Sequence, residues 1–341
     1  MAIFFGTTGS DIANALTGQI SGGFTGANLA ELQDTVGDAF YPETGLDIIY
    51  AGPGNDHIVF NGGIDSGTPN SLHGGDGDDT FIYYEEIWWD SIASIVAPGE
   101  IIDGGPGVDR LGILGIVDFR QAQIWSIEIC WFPISPTYDD VRQPSSAHFL
   151  ASQVGAEGLA SNLIVRGHGA PDSYEQLQFS MGSLSYFNLS PFTFESWDQN
   201  NFIVVNGDDS SETIIGSIAR DAIYADSGYD NLYGGDGDDV IDGGGNEDLV
   251  VGDAGNDALY GGAGNDVISE LAAGVLSGDD VLMGGTGIDL MYAGDGHDTV
   301  YGDSSSTAAS NDATNNYGNL GAGDDNYWGA NAVDVVVGGS G

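Results

Sequence analysis

Residues 234–269 read GGDGDDVID, GGGNEDLVV, GDAGNDALY and GGAGNDVIS in unbroken succession. Each nonapeptide opens on glycine, carries aspartate in its sixth position and places an apolar residue in its eighth. A fixed period of this length is the signature of a repeat architecture, in which one short element is stacked many times on copies of itself. The glycines predict a sharp turn, because they reach positive φ at little steric cost. The residues after the aspartate predict a very short strand with one side chain facing inward.

Followed outward, the ladder of acids runs Asp221, Asp230, Asp239, Asp248, Asp257 and Asp266, with Glu212 one step earlier. Five inserted residues, Glu270 to Gly274, interrupt it before it resumes at Asp280, Asp289 and Asp298, and three periods later at Asp325 and Asp334. Two residues beyond each acid stand Ile214, Ile223, Leu232, Ile241, Val250, Leu259, Ile268, Leu282, Met291, Val300, Tyr327 and Val336, which are expected to face a core. Thr307 and Asn316 occupy the acid positions of the two units skipped before Asp325, and a loop is expected there.

The N-terminal part carries the same units more sparsely, ending on Asp11, Asp56, Asp79 and Asp109, with Asp47 nine residues before Asp56. Between them, Asn28 to Gln33 would allow a turn or two of helix. From Leu111 to Asn206 the period vanishes, while alternation such as Ile124–Ile129 and Asn201–Val205 predicts strands. Three segments are therefore expected: a degenerate repeat segment over 1–110, an irregular β-rich segment over 111–206, and a regular repeat segment over 207–341. The middle one either continues the same solenoid or forms a subdomain of its own.

Composition narrows the chemistry. Among 341 residues there are 52 acids against five arginines and no lysine, a net charge of −47. Such a field repels phosphate backbones and anionic membranes and draws in small cations, so nucleic acid is excluded as a partner and metal ions are favoured. The acids sit at fixed offsets from glycine, a pattern that a general demand for solubility does not produce. One cysteine, Cys130, excludes an intramolecular disulfide framework and a cysteine-rich zinc site. No apolar stretch is long enough to span a bilayer, and the N-terminus lacks the form of a cleavable signal peptide.

These units match Gly-Gly-x-Gly-x-Asp-x-apolar-x, and the ladders at 47–64, 74–112 and 207–341 resemble the RTX, or hemolysin-type, calcium-binding repeats. The resemblance implies an all-β fold, a parallel β-roll or β-helix solenoid with two nonapeptides per coil and calcium held between turns of neighbouring coils. Asp221, Asp239 and Asp257 would then line one edge, and Asp230, Asp248 and Asp266 the other. Oxygen-only ligands in flexible turns suit calcium better than magnesium. The expected metal ligands are Asp56, Asp76, Asp79, Asp109, Asp230, Asp236, Asp239, Asp248, Asp257, Asp266, Asp280, Asp289, Asp298 and Asp325, with several calcium ions bound. Carboxylates stacked at the ~4.8 Å strand spacing repel by about 3 to 4 kcal/mol at an effective dielectric of 20, so calcium is expected to be required for folding. Weaker turns are expected where Ser210, Ala219, Asn246 and Ala332 replace glycine, although asparagine tolerates left-handed backbone.

A catalytic module is not expected. The chain has neither a His-Glu-x-x-His zinc motif nor a Gly-x-Ser-x-Gly elbow. His57, His73 and His297 lie in or beside repeat turns and are expected to face solvent, whereas His148 and His168 read as structural. Cys130 is expected to be buried, and Glu85, Glu86, Trp88 and Trp89 to form an aromatic core or an insertion loop rather than a sugar site. Ends without an evident capping unit and a strand at Val335–Val337 lead to the expectation of end-to-end or lateral self-assembly into a filament or surface layer. The resemblance implies an extracellular or cell-surface location reached by type I secretion, although the usual non-repetitive C-terminal signal is not evident. The competing expectations are a folding module of a secreted toxin or enzyme, and a glycan-binding adhesin.

Overall fold

The computed structural model describes residues 3–5, 12–15, 19–21, 35–42, 45–61, 68–84, 94–133, 145–155, 158–169, 174–270, 278–303, 315–329 and 334–338. The expectations placed on Asp11, Asn28–Gln33, the Glu85–Trp89 cluster, Thr307 and Ala332 lie outside these residues. Among the described residues the fold is all-β, with one short 3₁₀ turn at Ala151–Gln153, and no helix is long and apolar enough to cross a membrane. Two compact units are formed, one from Met1–Leu177 with Phe192–Asn201, the other from Gln178–Pro191 with Phe202–Gly341.

The second unit is a parallel β-roll. Strands Phe202–Asp208, Asp221–Asp226, Val240–Gly245, Ala258–Ala263, Val281–Thr286, Thr299–Asp303 and Asn326–Trp328 lie side by side in one sheet. The intervening strands Tyr186–Asn188, Thr213–Ile215, Asn231–Asp236, Leu249–Ala254, Val267–Ser269, Leu290–Tyr292, Tyr317–Asn319 and Val335–Val337 make the other. The chain alternates between the sheets, so one coil is two nonapeptides. Ile223 pairs with Ile241 and Ile241 with Leu259, while Leu232 pairs with Val250 and Val250 with Ile268. Where the step is 18 residues, each coil presents the same repeat position at the same height. The pairing holds across the five-residue insertion, where Leu259 pairs with Leu282.

The core of this unit is correspondingly narrow. From Ile214 to Val300 the residue two positions after each acid is fully or almost fully buried. Burial of one such aliphatic side chain is worth roughly 1.5–3 kcal/mol, so the roll has a modest apolar contribution per coil. The inward expectation fails at the last two positions: Tyr327 is half-buried and Val336 is exposed. The expected loop before Asp325 also needs correction, because Asn316 is buried on the ladder and is followed by the paired strand Tyr317–Asn319.

The first unit stacks strands in the same parallel way. One sheet contains Ile3–Phe5, Ala39–Tyr41, His57–Asn61, Thr80–Tyr84, Arg110–Leu114, Ile127–Trp131, Leu159–Arg166 and Thr193–Glu195. A second contains Gln123–Trp125, Ile101–Asp103, Ser71–Asp76, Ile48–Pro53, Ile12–Asn14 and Gln19–Ser21, of which only the last pairing is antiparallel. A further parallel run joins Ser94–Ile95, Ile116–Asp118 and Ser145–Leu150. The segment beyond Leu111 therefore carries on the stacking of this unit without the glycine period. The coils of the first unit are filled by aromatic rings: Phe60 stacks on Tyr83 at 5.0 Å, Tyr83 meets Phe119 edge-on at 5.1 Å, and Phe119 stacks on Phe149 at 5.1 Å.

Candidate metal centres

Where a turn begins with glycine, as most of the regular repeats do, the role of that glycine is steric. The first glycine of a repeat is not in the positive-φ region, but a Cβ on Gly234 would lie 2.4 Å from Asp239 Oδ2 and 2.6 Å from the Gly252 carbonyl oxygen. Gly74, Gly104, Gly243 and Gly261 stand in the same relation to Asp79, Asp109, Asp248 and Asp266. The aspartate thus folds back over the first residue of its own turn. The second glycine carries the positive φ, 105° at Gly235 and 104° at Gly262, and Asn246 adopts left-handed backbone with φ 76°.

Folding back aims the two carboxylate oxygens differently. Oδ1 accepts the main-chain N–H of the acid one coil earlier: Asp221 donates to Asp239 at 2.8 Å, Asp239 to Asp257 at 2.7 Å, Asp257 to Asp280 at 2.8 Å, Asp280 to Asp298 at 3.0 Å and Asp298 to Asp325 at 3.1 Å. On the other edge Glu212 donates to Asp230, Asp230 to Asp248, Asp248 to Asp266 and Asp266 to Asp289, all at 2.7–2.9 Å. Asn316 then takes the acid's place, accepting from Asp289 at 2.9 Å and donating through Nδ2 to the Gly302 carbonyl oxygen at 2.8 Å. In the first unit Asp38, Asp56 and Asp79 donate in turn to Asp56, Asp79 and Asp109, and Asp109 donates to Glu128 Oε2 at 2.8 Å.

The second oxygen is the one that asks for a cation. Oδ2 of Asp79, Asp109, Asp230, Asp239, Asp248, Asp257, Asp266, Asp280 and Asp298 is buried without a hydrogen-bond partner. A buried carboxylate oxygen left in this state is costly, and either a proton or a metal ion relieves it. Loss of hydration, the largest cause, accordingly pushes Asp79, Asp109, Asp248, Asp257, Asp280 and Asp298 up to about 7 and Asp266 to about 6, with neighbouring acids adding to the rise at most of them. Asp239, deeper and flanked by Asp221 and Asp257, is raised further. Orphaned hard oxygens, many of them over first-position glycines whose missing Cβ leaves them room, are a donor set that fits calcium.

The expected ligands are thus not equivalent. Asp56 and Asp289 sit on the ladder with the others, and Asp325 is half-buried at its far end. Asp76 and Asp236, in the third position of their turns, point their side chains into solvent. Asp221, expected to be weak because of Ala219, has its Oδ2 engaged by the Ser217 N–H at 2.6 Å and the Ser217 hydroxyl at 2.9 Å. Further ladder residues break the nine-residue period. Asp47 donates to Asn70 Oδ1 at 2.9 Å, Asn70 to Glu100 Oε2 at 3.3 Å, and Glu175 to Asn201 Oδ1 at 2.8 Å. All follow a signal present in the chain, a polar residue two before a buried apolar one. The histidines do not assemble a site: His57 and His297 are exposed, and His73 is half-buried, stacked on Tyr50 at 4.2 Å and bonded to Asp103 at 3.1 Å. Cys130 is buried, which pushes its thiol up.

The family model of the RTX calcium-binding nonapeptide repeat (4 copies) matches residues 43–66, 68–83, 206–241, 215–250, 242–269 and 276–306. These segments contain the turns in which the buried carboxylates converge in the second unit, and the Asp56 and Asp79 turns of the first. No curated protein matches the chain.

Proposed function

Because the chain carries RTX calcium-binding nonapeptide repeats in several copies, we propose that it is a secreted, non-enzymatic structural protein that folds on meeting extracellular calcium and assembles with further copies of itself. The observation that carries the calcium-dependent part is the file of buried, unpartnered carboxylate oxygens on both edges of the roll. Extracellular calcium modules bind at about 10⁻⁴ to 10⁻³ M, well above resting cytosolic calcium, so such a chain stays unfolded in the cell and folds outside it. Export by type I secretion accords with this order of events.

The decisive experiment is circular dichroism at pH 8 with a few millimolar calcium and then with excess chelator. The β signal is expected to vanish on chelation and to return with calcium. A chelator-treated chain that keeps its β signal would overturn the proposal.

Assembly is supported by the strand Val335–Val337, whose three side chains are all exposed while its main chain pairs with Tyr317–Asn319. An apolar strand presented in this way is a template for another strand. Electron micrographs are expected to show filaments or sheets in calcium that dissolve in chelator, and Val336→Lys is expected to suppress them. Dispersed monomers at high protein and millimolar calcium would sink this part alone.

A further inference from the structure

The insertion after Ser269 puts a glutamate where the repeat demands glycine. Glu270 stands in the register of a first glycine, since its N–H donates to the Tyr292 carbonyl oxygen at 2.9 Å as that of Gly216 donates to Tyr233 at 2.8 Å. In an ordinary turn the acid follows the first glycine by five residues, as Asp266 follows Gly261, but here Asp280 follows Glu270 by ten. The Glu270 side chain is turned inward, only 2% exposed, and neither of its oxygens has a hydrogen-bond partner.

Those oxygens point at a particular place. A Cβ on Gly252 would lie 2.4 Å from Glu270 Oε2, 2.7 Å from Glu270 Oε1 and 2.5 Å from Asp257 Oδ2, so two carboxylates converge on the space that this glycine leaves open. One oxygen each from Asp257, Glu270 and Asp280 lie within 4.8 Å of one another, and all three residues are buried. Oxygens that share one calcium at about 2.3–2.6 Å can be at most roughly 5 Å apart, so the spacing suits a single ion.

We infer that Asp257, Glu270 and Asp280 form a three-carboxylate calcium site, a turn site to which Glu270 adds a ligand the other turns lack, and that it is the tightest site of the chain, filling first and emptying last. A regular junction has only its ladder aspartates as carboxylate ligands, whereas Glu270 adds one that the nonapeptide does not encode. Affinity in oxygen sites rises with the number of charged ligands. Anchored at both Asp257 and Asp280, the ion would bridge the two coils that the insertion interrupts. The inference rests on the reading of the repeat turns as calcium sites.

Native mass spectrometry of the full chain at stepwise lowered free calcium separates the possibilities. The wild-type chain is expected to retain a last single ion to roughly tenfold lower free calcium than Glu270→Gln, with the remaining ions lost in the same range in both. Glu270→Gly, which restores the repeat's own residue, is expected to behave like Glu270→Gln and serves if the glutamine variant fails to fold. Identical loss of ions from wild type and a folded variant would overturn the three-carboxylate site while leaving the turn sites standing. Failure of the wild-type chain to bind any calcium would remove the underlying reading, and the inference with it.

Discussion

At the scale of single residues, the first glycine and the sixth-position aspartate are two halves of one device. A methyl group at Gly234 would strike both the Asp239 carboxylate and the Gly252 carbonyl, whereas one at Gly245 would meet nothing nearer than Ser227 Oγ at 3.7 Å. Gly234→Ala is therefore expected to destabilise the calcium-loaded chain by about 1–3 kcal/mol or more, while Gly245→Ala is neutral or stabilising by about 0.4–1 kcal/mol. Urea titrations in calcium check both. Asp239→Asn keeps an oxygen for the Asp221 N–H and removes the buried charge. It is expected to stabilise the calcium-free chain at pH 8 and to lessen the stabilisation that calcium adds, which paired thermal melts would measure.

At the scale of elements, what counts is that a polar acceptor returns to the same height in each coil. The loop between one acceptor and the next is free to vary. That is why the period made Asp221 to Asp298 legible and left Asn70, Glu100, Glu128, Glu175 and Asn201 unread: their spacing follows the width of the coil. The glycine turn, the short strand and the inward apolar residue could be read from the chain because glycine, acid and apolar residue each have a separate steric task. The two-nonapeptide coil and the two rows of aspartates came instead with the resemblance to RTX repeats. The engagement of Asp221 by Ser217 and the inward turn of Glu270 depend on side-chain directions that no period encodes. Asn316 lies between these cases, an uncharged residue doing the acid's main-chain work. Asn316→Ala removes the acceptor for the Asp289 N–H and the donor to Gly302, and a loss of about 1–3 kcal/mol is expected. Hydrogen exchange should speed up first at the Asp289 amide and along Tyr317–Asn319.

For the molecule as a whole, protons and calcium compete for the same oxygens. The ladder acids are raised from near 4 to about 6–7, so the folded calcium-free chain binds more protons than the unfolded one across that interval. Their contribution to stability is fully present below pH ~4 and is lost as pH rises through about 6–7. Without calcium the chain is expected to be folded at pH 5 and unfolded at pH 8; with millimolar calcium, which prefers the ionised acids, it should be folded at pH 8. Melting curves with and without chelator at the two pH values test this, and a calcium-free chain more stable at pH 8 than at pH 5 would contradict it. A net charge of −47 acts in the same direction, since compaction crowds like charges that acid or calcium neutralises.

The Oδ1 ladder also has a sense. In the rungs of the second unit described above the earlier coil offers the N–H and the later coil supplies the side-chain oxygen, from Asp221 and Asp239 onward to Asp298 and Asp325, a carboxylate oxygen except at Asn316. Removing a coil from the late side of the roll strips a charge-assisted bond from the coil before it. Removing one from the early side instead returns a half-dehydrated carboxylate oxygen to water. The stack is thus polar along its length, its two ends unlike, each rung held by the one that follows it in the chain.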